Sequence, residues 1–373
     1  METLFPFGFP WPTAMYLVLF VATAAIYMIF MNYVLAGAII LMVGYLAPGA
    51  RRRVDGRPGT PGRSSLRLIV KVVRDWLPAI LGLAITAGIA PSLFLQILYK
   101  HQFYTANLLL FNSFMLLLPA LFTAYSLLYL IKSQLLTGRG SALRGPVTIV
   151  AFACVFYTAW AWTENHVLSL HAEVWKMQYA SGNFLYRNAE IWPRLGYWIT
   201  ASFPTLALAL AWQIHWGRRQ YDPVDVNLAA RRLRSLAILG LATSAAEAWL
   251  WLIWLGESAR APVLSALALP YCLTAVAGMI IQAGCWLRIN AGADLTTGRL
   301  KIISIGAVMT IVGSLVVREA RRLAAIDITT LFDTHRQAAQ VGGMVVFLVF
   351  FALNAAVIIA CVLIVKRALR PLN

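Results

Sequence analysis

Glu247 lies deep inside the apolar run LATSAAEAWLWLIWLG. An ionisable side chain in hydrocarbon costs about 2.5–3.5 kcal/mol on insertion scales, so each one calls for a chemical or a structural reason. Its chemistry would be proton relay or partnership with a quinone headgroup. The structural alternative is a buried pairing with an in-span amide such as Gln282 or Asn354, helped by the small residues Thr243, Ser244, Ala245 and Ala246, which permit close helix contact. A second group gathers at the ends of two other apolar runs. Glu164, Asn165 and His166 close one, with His171 just beyond, and Arg318, Glu319, Arg321 and Arg322 close another. Opposite charges from different helices can meet there, either as plain ion pairs or as a redox or proton site.

Histidine limits any cofactor argument. A bis-histidine haem b in a helical bundle needs imidazoles on facing helices at one depth. The five histidines are His101, His166, His171, His215 and His335, and none lies mid-run. His101, His166, His171 and His335 share one boundary, so a haem held there by two of them and ordinary interfacial histidines both stay open. Cys154, Cys272, Cys285 and Cys361 lie within apolar runs with no CxxC, which argues against a disulfide framework, a zinc site or a c-type haem. No carboxylate–histidine spacing marks a metal site. P-loop, HExxH and GxSxG patterns are missing, which removes support for an ATP-driven pump or a standard hydrolase.

The elements that must position these residues are membrane spans. The 373 residues have a mean hydropathy of +0.74, with 61% hydrophobic and only 12% charged, which excludes a soluble enzyme. Nine runs are long enough to cross a bilayer, near 13–47, 77–99, 106–131, 146–163, 195–216, 235–255, 262–287, 301–317 and 342–365. The first has no basic flank and is too long for a signal core, so it is expected to remain in the mature protein. As one helix it must tilt or project beyond the bilayer. The spacing predicts an all-α fold in a single membrane domain, with helices two to five (77–216) and six to nine (235–365) as two four-helix bundles and the long first helix peripheral.

Loop charge sets the orientation. With the N-terminus outside, the inner segments hold 22 of the 31 Lys and Arg residues, a clear positive-inside bias that places the C-terminus inside. Trp160, Trp162, Trp192, Trp198 and Trp254 fall near outer ends and Trp76, Trp212, Trp216 and Trp286 near inner ones, as interfacial rings should. The net charge of +17 is read as topogenic and lipid-facing, not as a nucleic-acid surface. Two connecting segments are long. Residues 48–76 read as a basic cytoplasmic loop whose LRLIVKVVRDW stretch is expected to lie along the inner surface. Residues 164–194 form the longest outer segment and the best docking surface. The in-span amides Asn32, Gln96, Asn112, Gln213, Gln282 and Asn354 have interhelical hydrogen bonds as their default role.

Local strings in this frame resemble a known family. TAMYLVLFVATAAIYMIFMNYVLAG, GIAPSLFLQILYKHQFYT, WPRLGYWITA and SLVVREARRLA are similar to segments of subunit I of cytochrome bd quinol oxidases and their bd-like relatives in bacterial respiratory chains, and the nine-span topology matches as well. The family usually places a haem-ligating histidine in the first span, where this chain offers Leu17, Tyr27 or Met28. Where the motif opening the fifth span would carry a histidine, this chain has Tyr197. The quinol-binding loop between spans six and seven is reduced to GESARAP. The resemblance therefore implies a haem-poor or haem-free scaffold, or one in which Tyr27 and Tyr197 supply an altered site.

The expectation is a multi-pass subunit of a respiratory electron-transfer complex in the bacterial cytoplasmic (inner) membrane. It would anchor other membrane subunits and outer-face redox proteins such as c-type cytochromes. Glu247, Glu164 and Arg318 are its candidate proton or quinone residues, and His101, His166, His171, Tyr27 and Tyr197 its candidate haem positions. Haem b, quinone or no cofactor remain open, and so does whether the chain catalyses anything itself. A secondary transporter using Glu247 and a purely structural anchor are the alternatives.

Overall fold

The structure, a computed structural model, describes residues 5, 6, 8–46, 64–136, 142–326, 328–341 and 343–368. Among them nine helices are long and apolar enough to cross a membrane: α1 (Trp11–Leu46), α2 (Leu66–Leu98), α3 (Phe111–Lys132), α4 (Arg144–Leu170), α5 (Ile191–Trp216), α6 (Pro223–Trp254), α7 (Leu269–Leu287), α8 (Thr297–Ala325) and α9 (Val345–Ile364). The protein is an all-α, polytopic membrane protein whose outer surface contacts lipid. Residues 47–63, with Arg51–Arg53 and the GRPGTPGR string, lie outside the described residues.

Several helices run longer than the apolar pattern suggests, and local chemistry explains where they start. At α6 the Asp222 side chain accepts from the Val224 amide (2.7 Å), and Pro223, which has no N–H to satisfy, occupies the first turn. The helix therefore starts well before its apolar stretch. Thr296 caps α8 in the same way, accepting from the Arg299 amide at 3.3 Å. Just beyond the C-terminal end of α7, backbone carbonyls are met by arginines from α6: Arg234 donates to Ile289 and Arg231 to Asn290.

Two expectations about packing are corrected. The basic stretch expected along the inner surface is instead the start of α2, with Leu68, Ile69, Val70, Val72 and Val73 buried against the inner half of α1. Gly44 makes this approach possible, since a Cβ there would lie 2.5 Å from Val70 Cγ2. An apolar face with a long helix to cover gains more from burial than from lying at a headgroup surface. The first helix is also central, not peripheral. Its 36 residues, about 54 Å at ~1.5 Å per residue, carry the buried Leu17, Phe20, Val34, Leu35 and Leu41, and α1 packs on α2, α4, α5 and α8. One core runs through residues of α1 to α8, so the two expected bundles are fused. The peripheral helix is α9, which has no buried residue in its apolar window and packs Phe347 on Phe94 of α2, ring centroids 4.7 Å apart.

Without a hydrophobic drive between helices in lipid, close packing needs small residues. Gly278 of α7 and Gly306 of α8 bring the two backbones together, and a Cβ at Gly278 would lie 2.5 Å from the Gly306 carbonyl oxygen. Gly278→Val is expected to cost about 1–3 kcal/mol through overpacking. Thermal unfolding in mild detergent should show a clear drop, and an unchanged midpoint would reject this contact as a packing determinant.

Candidate functional site

The charged residues ending α8 meet a partner that the sequence reading did not single out. Glu190, the residue before α5, is 3% exposed and accepts from two arginines. Arg321 of α8 grips it with Nη1 and Nη2, the latter at 2.8 Å, and Arg194 one turn into α5 donates through Nε at 2.6 Å. On α8 itself Glu319, fully buried, accepts from Arg322 (3.1 Å) and Arg318 (3.2 Å). Aromatic faces complete the shell. The Trp251 ring of α6 lies against both Arg194 and Arg321, its centroid 5.6 and 5.4 Å from their guanidinium carbons, and Arg322 lies 4.7 Å from the Tyr99 ring centroid.

Titratable groups at the rim are tuned by this cluster. Burial pushes the Glu190 carboxyl up, but hydrogen bonds from His171 and Arg321 and the two arginine charges outweigh it and hold Glu190 well below the usual carboxylate range. The Tyr99 hydroxyl donates to Glu319 at 3.0 Å, and burial together with the Glu319 charge raises it far above the ordinary phenol value. It stays a neutral donor. At the rim, His171 bridges Glu173 (2.8 Å) and Glu190 (3.4 Å), and the Glu190 hydrogen bond raises its pKa against the effect of burial.

These groups form the outer end of a cavity of about 680 Å³. Arg194, Arg318, Arg321 and Arg322 line that end, and mainly apolar side chains of α1 to α8, with in-span polar groups among them, line the rest. Ile89 and Leu93 of α2, Leu118 of α3 and Val276 of α7 both line it and are more than half exposed, so the cavity communicates with the surrounding hydrocarbon. On its lining residues the buried donors Arg194 Nη2, Arg322 Nε, His166 Nε2 and Trp251 Nε1 and the buried acceptor Gln282 Oε1 make no hydrogen bond. No carboxylate lines the cavity among the described residues.

No protein-family model, curated protein or solved structure matches the chain.

The candidate residues of the sequence are divided by the structure. Arg318, His166, Tyr27 and Tyr197 line the cavity. Tyr27 packs on Gly88, and the Tyr197 hydroxyl is bonded to Ser314 Oγ at 2.9 Å. Glu247 is elsewhere: half-buried on α6, it accepts from Thr200 (3.1 Å) and lies over Gly196, and neither Gln282 nor any arginine pairs with it. The side chain of Asn354 lies outside the described residues. Glu164 is also away from the arginines. Its oxygens accept from Ser113 Oγ (3.3 Å) and from the Tyr186 amide (2.5 Å), so it pins the outer segment to α4. His101 stacks on Trp175 at 5.4 Å, and His335 is held between the Thr13 hydroxyl (2.8 Å) and the Leu98 carbonyl (3.2 Å).

A bis-histidine haem does not fit this arrangement. His166 alone of the five histidines lines the cavity, and Arg322 donates to its Nδ1, which leaves the ring proton on Nε2. An iron ligand needs a lone pair at that atom, so His166 is placed as a hydrogen-bond donor. Among the described residues no group of three or more His, Cys, Asp and Glu side chains is arranged to hold a metal ion. Sequence reading missed Glu190 and Trp251 and took Arg194 only as part of a motif. The available signal was the Glu190–Arg194 spacing of four at a span boundary, which on a helix puts opposite charges side by side.

The raised pKa of His171 gives a sign that can be tested. A group raised on folding contributes stability that is fully present below its unfolded value, about 6.5, and is lost as pH rises through its folded value. His171→Ala should therefore lower the thermal midpoint more at pH 5.5 than at pH 8.5. An equal loss at both pH values would reject the His171–Glu190 coupling.

Proposed function

We propose that the chain is a membrane subunit of a respiratory electron-transfer assembly in the bacterial cytoplasmic membrane, and that its cavity receives the headgroup of an isoprenoid quinone. The observation that carries this reading is the cavity itself. It has largely apolar walls, access from the hydrocarbon, and one end lined by four arginines. Pockets for small molecules combine a largely apolar lining with a few convergent polar groups. A quinone enters from the bilayer, fills apolar space with its tail and presents carbonyl oxygens that accept hydrogen bonds. Arg194, Arg318, Arg321 and Arg322, whose side chains line that end of the cavity, are the donors available to such oxygens. When bound, such a ring exchanges electrons and protons with redox partners, which here would be other subunits or outer-face proteins such as c-type cytochromes. The residues of this chain bind and orient it, and the surrounding hydrocarbon excludes water.

The transporter reading has less support. Glu247, the carboxylate it relied on, packs between α5 and α6 against Thr200 and Gly196 and does not line the cavity.

Extraction and chromatography of the detergent-purified protein provide the test. Stoichiometric isoprenoid quinone is expected in the native chain, together with a haem- or iron–sulfur-containing partner retained in mild detergent. Ala201→Phe, which adds a ring to the cavity wall on α5, should abolish the bound quinone. Quinone missing from the native protein, or equal amounts in both proteins, overturns the proposal.

A further inference from the structure

The outer end of the cavity carries more positive charge than its own carboxylates offset. Four guanidinium groups, Arg194, Arg318, Arg321 and Arg322, share two carboxylates, Glu190 and Glu319, which leaves two positive charges. Among the described residues no other acid supplies the difference. Glu164 spends its oxygens on Ser113 and the Tyr186 amide, Glu247 is bonded to Thr200, and Glu173 sits with His171 at the rim. His166 accepts a hydrogen bond from Arg322 and so brings no negative charge. Arg321 and Arg322 are 7% and 5% exposed, too buried for bulk water to screen them. A buried charge without a counter-charge is unfavourable, and at membrane depth it marks a ligand pathway or site. The buried atoms without a hydrogen-bond partner on the residues at this end, Arg194 Nη2, Arg322 Nε, His166 Nε2 and Trp251 Nε1, are all donors. They add nothing that a cationic or donor-rich headgroup could use.

We infer that the cavity selects a ligand bearing an oxyanion on its ring, a quinone with an acidic hydroxyl in its ionised form, over a neutral ring of the same shape. This rests on the quinone reading above and goes one step further, because a neutral carbonyl would accept from the guanidinium groups but leave the two charges uncompensated. An oxyanion does both, and charge-assisted hydrogen bonds to guanidinium are the stronger kind. Arg318 is the cation best placed to contribute, since its only bond to a carboxylate is through Nε to Glu319, and its side chain is 32% exposed at the cavity wall. An anionic phospholipid headgroup would offer the same charge, so the test must separate the two sources.

Equilibrium binding to the full-length purified chain in a neutral detergent would use two probes. One is a 2-hydroxy-3-alkyl-1,4-naphthoquinone, ionised at neutral pH, and the other is its neutral 2-methoxy counterpart. The ionised ring is expected to bind at least ten-fold more tightly. Arg318→Gln should narrow that ratio several-fold and Arg318→Lys should retain most of it, and the comparison on the native protein stands even if a variant fails to fold. Equal affinity for the two probes overturns the charge inference and leaves the quinone site standing. No binding of either probe overturns the quinone site itself. Displacement of the ionised ring by phosphatidylglycerol but not by phosphatidylcholine, with no binding of the methoxy probe, would assign the site to a lipid headgroup and overturn the ring assignment.

Discussion

The Glu190 carboxylate is the point on which the outer half of the protein depends. Arg194 and Arg321 lie at the ends of apolar helices, where an unpaired guanidinium is strongly disfavoured. Glu190 serves both, and His171 as well, so one buried anion ties α5, α8 and the segment that follows α4 into a single joint. Because the two arginines are held there, the Trp251 ring packs against both of them and α6 is drawn to the same place. Removing a carboxylate of this kind leaves buried cations uncompensated, which is far more damaging than the pair is stabilising. Its value here is geometric. It sets where three helices end relative to one another, and so where the cavity closes.

The fold was legible in the sequence because the bilayer imposes a simple rule. Apolar runs of about 20 residues must be helical and must cross, and all nine expected spans are present. What was not legible follows from physics that the hydropathy pattern does not carry. Apolar length says nothing about which helix is central, because lipid tails and neighbouring side chains are equally apolar surroundings for Leu35 or Val34. The α1–α2 pairing is decided by Gly44 against Val70 and by buried side chains on one face of the basic stretch, and these are contact properties rather than hydropathy. Helix starts were misjudged where a capping residue, Asp222 or Thr296, begins the helix in polar sequence.

The site was half legible. Clustered arginines ending α8 were conspicuous, since charge next to a span is costly wherever it occurs. Their partner was hidden in a polar segment where a glutamate is unremarkable, and Trp251 was indistinguishable from the interfacial tryptophans around it. Glu247 shows the converse. A mid-span carboxylate is a sound reason to look for chemistry, yet one hydroxyl from Thr200 and the flat surface of Gly196 accommodate it between two helices.

A cavity inside a membrane bundle needs an explanation of its own, because nothing in hydrocarbon prevents helices from closing over a void. Here the helices around it are held apart and in register by polar struts. Asn32 of α1 donates to Thr205 and accepts from Trp198, both on α5. Tyr197 joins α5 to α8 through Ser314, and Gln282 joins α7 to α8 through Thr310. Every one of these residues lines the cavity. The in-span polar groups therefore do what their default role predicts, pairing across helices, but they do so around a shared space and not scattered through the core. Apolar packing alone would have no fixed spacing to defend. Hydrogen bonds of defined length, together with the Glu190 joint at the outer end, give the walls a geometry that a ligand can rely on.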